Sequence, residues 1–470
     1  MEERSFLKIF LSSGPGRTGL LFLGLIVALS VFVLTQYPLD YGLKVWNNPA
    51  LWSDYPKEAP PVWVRLFGVS AIPHTILHLR EPAQSDPSGQ LYSVTIDWES
   101  APPRFLSLTI GRIEYHRERP PLVTLSLLRP DGKEVRLFHH TPLRPQASEV
   151  APYVRYETPR RFLLSADATV QSAMVTFLRT EFALNTTAAA LRDRVTAALF
   201  GTPAAGQEPE FRPLPGRYEL RVRLETPDPR DTVEGLTIVL GGSAYGLMGT
   251  DTIGRDLAQG LLFGFPVALF IGLFVSVLTT FVGATLGILS GYLGGRVDAV
   301  IQRFTDILVS IPALPLLIFL IVLLGSNLFY IMLFIAVFGW TGLTIIVRPM
   351  VLQLREGQLI EAEKSLGASR WRIMARHIFP QVGPYIFAQL IFFTPSAILA
   401  EAALSFLGLG DPSLPTWGQI LERGFRTGAV YLGYWWWVLP PGLLIVFTAV
   451  TFLLLALALE PIVNPRLRRM

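Results

Sequence analysis

Residues 361–380 read EAEKSLGASRWRIMARHIFP, a charged island in a stretch of chain that is otherwise almost wholly apolar. Glu361, Glu363, Lys364, Arg370, Arg372 and Arg376 all lie within it. Glu361, Ala362 and Leu366 fall at helical spacing, Gly367 interrupts, and a second helical run leads to Pro380. The pattern predicts helix, glycine turn, helix: a compact connector with a surface to offer, where a floppy loop would absorb any displacement.

Outward from the island the chain is apolar on both sides. Of its 470 residues 51% are hydrophobic and only 16% charged, where a soluble domain carries about a quarter charged. The apolar excess sits in one N-terminal segment and in the C-terminal half. The class is therefore a multi-span membrane protein with a large polar insertion. A net charge of +4 does not point to nucleic acid, and with no cysteine there is no disulfide framework, thiolate metal site or cysteine nucleophile.

Residues 19–34 form an apolar run behind Arg4, Lys8 and Arg17. A signal peptide has the same outline, but no small-x-small cleavage site follows, and the run is close to the roughly 20 residues of one crossing. We read it as an uncleaved first span. Further spans are expected at 261–289, 307–324, 328–347, 385–407 and 437–459. With six spans, Arg296, Arg303, Arg348, Arg355, Lys364, Arg370, Arg372, Arg376, Arg466, Arg468 and Arg469 all share the side of the N-terminus. The positive-inside rule then makes both termini cytoplasmic and residues 38–250 extracytoplasmic. Tyr431, Tyr434 and Trp435, Trp436 and Trp437 are expected to form an aromatic belt at the outer end of the last span.

Residues 38–250 alternate with period two. Strands are predicted at 91–98, 105–115 and 218–224, and a hairpin at 122–128 and 134–138 around Pro130-Asp131-Gly132. Residues 187–200 read as a helix stopped by Gly201. The whole reads as a β-rich, sandwich-like domain. His74 and His78 are spaced for one helical face, but with no third ligand nearby they do not make a metal site. His139 and His140 alternate across a strand. Asn185-Thr186-Thr187 matches the short glycosylation pattern.

Three motifs sit on this frame. In the island, Glu361 and Ala362 come six and five residues before Gly367, and Pro380 closes it thirteen residues after. This spacing resembles the "EAA" loop by which permease subunits of ABC importers engage their ATPases. Glu363 stands where that family has a second Ala, and Phe379 where the dipeptide/oligopeptide branch has Leu. The second motif is EAALSFLGLGDPSLPTWG at 401–418. It is similar to the same branch's signature at Ser405 to Gly410, Pro412, Pro415, Trp417 and Gly418. Glu401 is a carboxylate in or near the membrane, so it is a candidate for the translocation path. The other reading is a hydrogen bond, with Ser405 close by, that packs two helices. The third is GTDTIGRD at 249–256, with Asp251, Gly254, Arg255 and Asp256 at the family's positions. Gly291-Tyr292-Leu293-Gly294-Gly295-x-x-Asp298 and Arg303-x-x-Asp306 also match, and Asn464-Pro465-Arg466 matches loosely.

The resemblance implies an α-helical polytopic membrane protein with six transmembrane helices, like the permeases of type I ABC importers. Residues 1–37 would hold the cytoplasmic N-terminus and first span. Residues 38–250 would be extracytoplasmic, with the β-rich insertion at about 69–241. Residues 251–470 would form the permease core, with the cytoplasmic coupling loop at about 348–380. It further implies coupling roles for Glu361, Ala362, Glu363, Gly367, Arg370 and Arg372. The implied partners are a second homologous permease, two ATPase subunits, an extracytoplasmic substrate-binding protein and the lipid bilayer of the cell membrane. No Gly-x-x-x-x-Gly-Lys-Ser/Thr run exists here, so ATP and Mg would bind the partners and no cofactor this chain. Family substrates include peptides, oligosaccharides and nickel, and the residues do not choose among them. Two other classes fit the pattern less well: a membrane-anchored sensor with an outer β-domain needs only one or two spans, and a secondary transporter has no use for a docking helix.

Overall fold

The computed structural model describes residues 10–86, 89–204 and 210–463, with side chains through 459. The loose match at Asn464-Pro465-Arg466 and the basic residues of both tails lie outside them. Contacts divide the chain into two units, Met1–Pro49 with Leu257–Met470, and Ala50–Asp256. Residues 38–49 thus group with the spans, and 251–256 with the β-rich unit. The first helix, α1 (Gly14–Gln36), begins where Ser13 accepts a hydrogen bond from the Gly16 amide at 3.0 Å. After it, Tyr41 and Trp46 are buried, and the Tyr41 hydroxyl donates to Gln259 at 3.0 Å. Burial of these rings explains why the short segment after α1 stays with the helices.

In Ala50–Asp256 two antiparallel sheets carry the fold. Their strands are β1 (Thr75–Leu79), β2 (Gln84–Asp86), β3 (Gly89–Trp98), β4 (Leu106–Ile110), β5 (Leu122–Leu128), β6 (Glu134–His140), β7 (Arg160–Leu163), β8 (Gly216–Glu225) and β9 (Leu236–Leu240). One sheet has the order β1-β9-β4-β7 and the other β2-β3-β8-β5-β6. The clean alternation of β8 has its physical reason in the register: Val222 lies between Tyr92 and Leu125, all three buried. Leu108, Leu125, Val222 and Ile238 belong to one core that draws on both sheets. Gly132 turns the β5–β6 hairpin at φ 78°. Beside that turn the Arg129 side chain is buried, donating to the carbonyls of Ala198, Leu199 and Gly201 at 2.9–3.0 Å. These are orphan acceptors at the end of a helical turn, Val195–Leu199, and the guanidinium satisfies them.

Several expectations need correction. The single strand expected at 105–115 is two, β4 and Ile113–Tyr115, which join different sheets. The helix expected at 187–200 breaks into Ala188–Leu191 and Val195–Leu199. Leu191, Val195, Thr196, Leu199 and Phe200 are all buried, a spread wider than one helical face, and the break accommodates it. A helix at Ala168–Phe182, α2, went unread; it packs Val170, Met174 and Leu178 into the core. His78 lies on β1, so helical spacing does not relate it to His74.

The helical unit continues with α3 (Leu257–Leu293), α4 (Gly295–Ser310), α5 (Ala313–Leu324), α6 (Leu328–Arg355), α7 (Gln358–Ser365), α8 (Arg370–Phe406), α9 (Trp417–Arg426) and α10 (Trp435–Val463). Among the described residues α1, α3, α6, α8 and α10 are long and apolar enough to cross a membrane, and α4 with α5 makes a sixth if that pair, bent by 82°, counts as one. The span expected at 307–324 is therefore not straight. Pro312 forces Ile311 into an extended conformation at ψ 126° and ends α4. α5 alone, at about 18 Å, is short of the roughly 30 Å hydrocarbon core. α3 and α6 pack backbone to backbone along Gly283, Gly287 and Gly291. A Cβ added at Gly291 would come within 2.7 Å of the Arg348 carbonyl. The aromatic belt also shrinks: Tyr431 is 86% exposed, but Trp436 and Trp437 are buried, Trp437 donating to the Ile420 carbonyl under α9.

Candidate functional site

The charged island folds as a stapled helical hairpin. α7 ends in a left-handed turn at Gly367, φ 78°, closed by two crossed hydrogen bonds: the Ala368 amide to the Glu363 carbonyl and the Gly367 amide to the Lys364 carbonyl, each 3.0 Å. Ser369 then caps α8, accepting from the Arg372 amide at 3.3 Å. α8 passes through one wide turn at Met374–Ile378 before its long apolar run. On the inner side Ile360, Ile373, Met374 and Ile378 are buried in a cluster with Ile288 of α3 and Val347 and Val351 of α6. The connector is thus anchored to the ends of two spans.

Its outer side is the reverse. Glu361, Ala362, Arg370 and Arg372 are exposed, and Leu366 and Trp371 are 82% and 71% exposed. Large apolar residues held at the surface by a rigid backbone, ringed by both signs of charge, suit recognition by another protein. Glu363, 25% exposed, leans across the turn, its carboxylate 3.4 Å from His377 Nε2.

Beside the connector lies a group that sequence reasoning missed as a site. Arg348 of α6 meets Asp298 of α4 with both prongs of its guanidinium, at 2.6 Å each. Ser290 of α3 donates to the same carboxylate at 2.5 Å, and Gln302 donates to Ser290 at 3.0 Å. The signal was present, in Asp298 at the end of the Gly291–Asp298 match, but its partner is fifty residues away.

The 401–418 stretch packs back on itself. Glu401 is 4% exposed; Ser405 donates to it at 2.6 Å, and the Thr416 side chain is a further hydrogen-bond partner. Thr416 also caps α9, accepting from the Gln419 amide. Gly418 lies so close to α8 that a Cβ there would be 2.8 Å from the Ala402 carbonyl. Trp417 donates to the Leu261 carbonyl of α3 at 2.8 Å, and Asp411 accepts from the Leu328 amide at the start of α6 at 2.9 Å. Glu401 and Ser405 therefore belong to a closed polar joint between α8 and α9.

In the β-rich unit, 249–256 is a hydrogen-bonded turn. Asp251 is fully buried and accepts from the amides of Ile253 and Arg255 at 3.0 and 2.9 Å and from the Arg255 guanidinium at 2.5 Å. Gly254, at φ 91°, brings its backbone against the Trp52 carbonyl. Thr250 and Asp256 form an isolated antiparallel bridge. The Thr250 amide and hydroxyl bond Ala59 and Pro56 carbonyls, so the turn is tied to the segment that precedes the strands. Asp251, Gly254, Arg255 and Asp256 all belong to the β-rich unit, and the connector belongs to the helical one.

The family model of binding-protein-dependent transport system inner membrane components matches residues 283–469, which include the connector and 401–418 but not 249–256. A dipeptide transport system permease protein of Bacillus subtilis is 35% identical over 228 residues, 48% of this chain and 71% of that protein. A probable D,D-dipeptide transport system permease protein of Escherichia coli is 37% identical over 245 residues, 52% of this chain and 80% of that protein. A dipeptide permease of Lactococcus lactis is 35% identical, with 64% of its length covered. With a bundle of five or six apolar helices and relatives matched over most of their length, the chain belongs to the binding-protein-dependent transport system inner membrane components, the multi-pass permease subunits of ABC importers.

Proposed function

We propose that this chain is one half of the translocation path of an ATP-driven peptide importer in the cell membrane. The supporting observation is the connector, a rigid hairpin anchored by Ile360, Ile373 and Ile378 and presenting Leu366, Trp371, Glu361 and the arginines 370 and 372 outward. Glu361, Ala362, Gly367, Arg370 and Arg372 form the docking surface, and Glu363 stiffens it from inside. Closure of an ATPase pair below would push a stiff element and so move the spans it is anchored to. ATP and Mg are held by those partner subunits, and hydrolysis is theirs.

A second homologous permease completes the path, two ATPases sit at the cytoplasmic face with both termini, and a substrate-binding protein delivers cargo outside. Residues 38–250 are then extracytoplasmic, and the role proposed for the inserted β-rich domain at about 69–241 is either to dock the binding protein or to occlude the outer gate. Peptide cargo is proposed from the relatives, which are dipeptide and oligopeptide permeases. The test is reconstitution of the chain with its neighbouring transport subunits in liposomes. ATP-dependent accumulation of a labelled di- or oligopeptide is expected; ATP-independent uptake, or no bound ATPase, overturns the reading.

A further inference from the structure

The Asp298–Arg348 pair joins two elements that little else joins. In α4 only Ile301 and Thr305 are buried, and in α5 only Leu317. Val300, Phe304 and Val309 of α4 are 56%, 61% and 62% exposed. Apolar packing therefore holds α4 loosely, yet one of its carboxylates is fixed at both oxygens by the α6 guanidinium and at a third point by Ser290. A planar fork sets orientation as well as distance, which a single charge contact does not. The pair is partly exposed, 31% for Arg348 and 19% for Asp298, and its bidentate geometry fixes how the two helices stand to one another. Three-point geometry suits a positioning role.

The position fits. α6 ends at Arg355, and only Glu356 and Gly357 separate it from α7. α4 in turn sets the direction of α5 across the 82° bend. A rotation of α4 by about 10° would swing the far end of an 18 Å arm by about 3 Å.

We propose that Asp298 and Arg348 are positioning residues that make the α3–α4 corner move as one body with the connector, so that displacement of the connector reaches the bent α4–α5 pair. This rests on the connector docking an ATPase. Ser290 orients the carboxylate, and Gln302 holds Ser290.

The chain has no cysteine, so introduced thiols are its own sole labelling sites, and the partner subunits are used in cysteine-free form. Val309→Cys on α4 is paired with Leu453→Cys on α10 to read movement of α4, and with Leu359→Cys on α7, 54% exposed and outside the docking surface, to read whether α4 follows the connector. Distances are measured in the complex with its partner permease and ATPases, before and after trapping with ATP and vanadate. In the parent, the 309–453 distance shifts and the 309–359 distance does not. In Arg348→Gln and in Asp298→Asn the ATPases remain bound, the 309–453 shift falls at least about twofold, and the 309–359 distribution broadens. Arg348→Lys falls between. Parent-like distances in both variants overturn the inference; so does loss of the ATPases from both, which would make the pair a folding element. A parent that binds ATPases but shows no 309–453 shift overturns this inference alone, whereas a parent that binds none overturns the docking reading beneath it.

Discussion

Glu363 Oε1 stands 3.4 Å from His377 Nε2, so the charge that breaks the Glu-Ala-Ala pattern is turned inward onto its own loop. Both side chains are partly exposed, at 25% and 19%, and such a pair contributes within about 1 kcal/mol. Glu363→Ala should therefore keep ATPase binding at the parent level with only a small fall in melting temperature. A loss of ATPase binding comparable to that of Glu361→Lys would place Glu363 on the docking surface.

Gly367 sits at φ 78° with nothing within 4 Å of where a Cβ would project. Substitution there meets backbone strain and no clash, a cost of about 1–2 kcal/mol for a residue that resists the left-handed region. Asparagine tolerates that region and valine does not. ATPase co-purification should fall in the order Gly, Asn, Val. Equal loss in Gly367→Asn and Gly367→Val would mean that the surface, and not the turn, is sensitive to the residue.

Glu401 is closed inside the α8–α9 joint with Ser405 and Thr416. Glu401→Gln keeps an acceptor there and should melt close to the parent and transport close to it. Glu401→Ala leaves buried hydroxyls without their partner, a cost of about 1–3 kcal/mol, read as a lower melting temperature in detergent. Abolished transport with an unchanged melt in Glu401→Gln would return Glu401 to the translocation path.

In the β-rich unit burial lowers the His74 pKa to about 4, against an opposing pull from Asp54. Its folded pKa lies below the unfolded value, so the unfolded state takes up the proton first as pH falls. The contribution of His74 is present above about pH 6.5 and lost as pH drops towards 4. Amide exchange of β1 and β9, corrected for intrinsic rates, should show less protection at pH 5 than at pH 7. His74→Phe should flatten that difference; an unaltered pH dependence would assign it to other groups, such as His140, whose pKa burial also lowers.

What was legible in the sequence was local. Hydropathy found the straight spans, Gly367 marked the turn, and the alternation of 122–128 and 218–224 gave β5 and β8 because each strand carries its own period. What was not legible depended on partners far along the chain. Nothing around 105–115 says that Ile110 and Ile113 serve different sheets. The α3–α6 spine of Gly283, Gly287 and Gly291 was not legible, because glycines spaced by four say nothing of the face they meet. Arg348 reads as one more positive-inside residue because its partner Asp298 lies fifty positions away along the chain. Trp436 and Trp437 looked like belt residues because composition cannot say that α9 covers them.

The outer side of the connector is proposed to dock an ATPase. Leu366 and Trp371 are 82% and 71% exposed, so Leu366→Asp and Trp371→Asp should leave folding intact. The direct measurement is the amount of ATPase that co-purifies with the double variant, alongside its melting temperature. An unchanged melt is expected, with at least about tenfold less bound ATPase, equivalent to losing about 1.4 kcal/mol or more of binding. Stoichiometric ATPase on the intact double variant would contradict it.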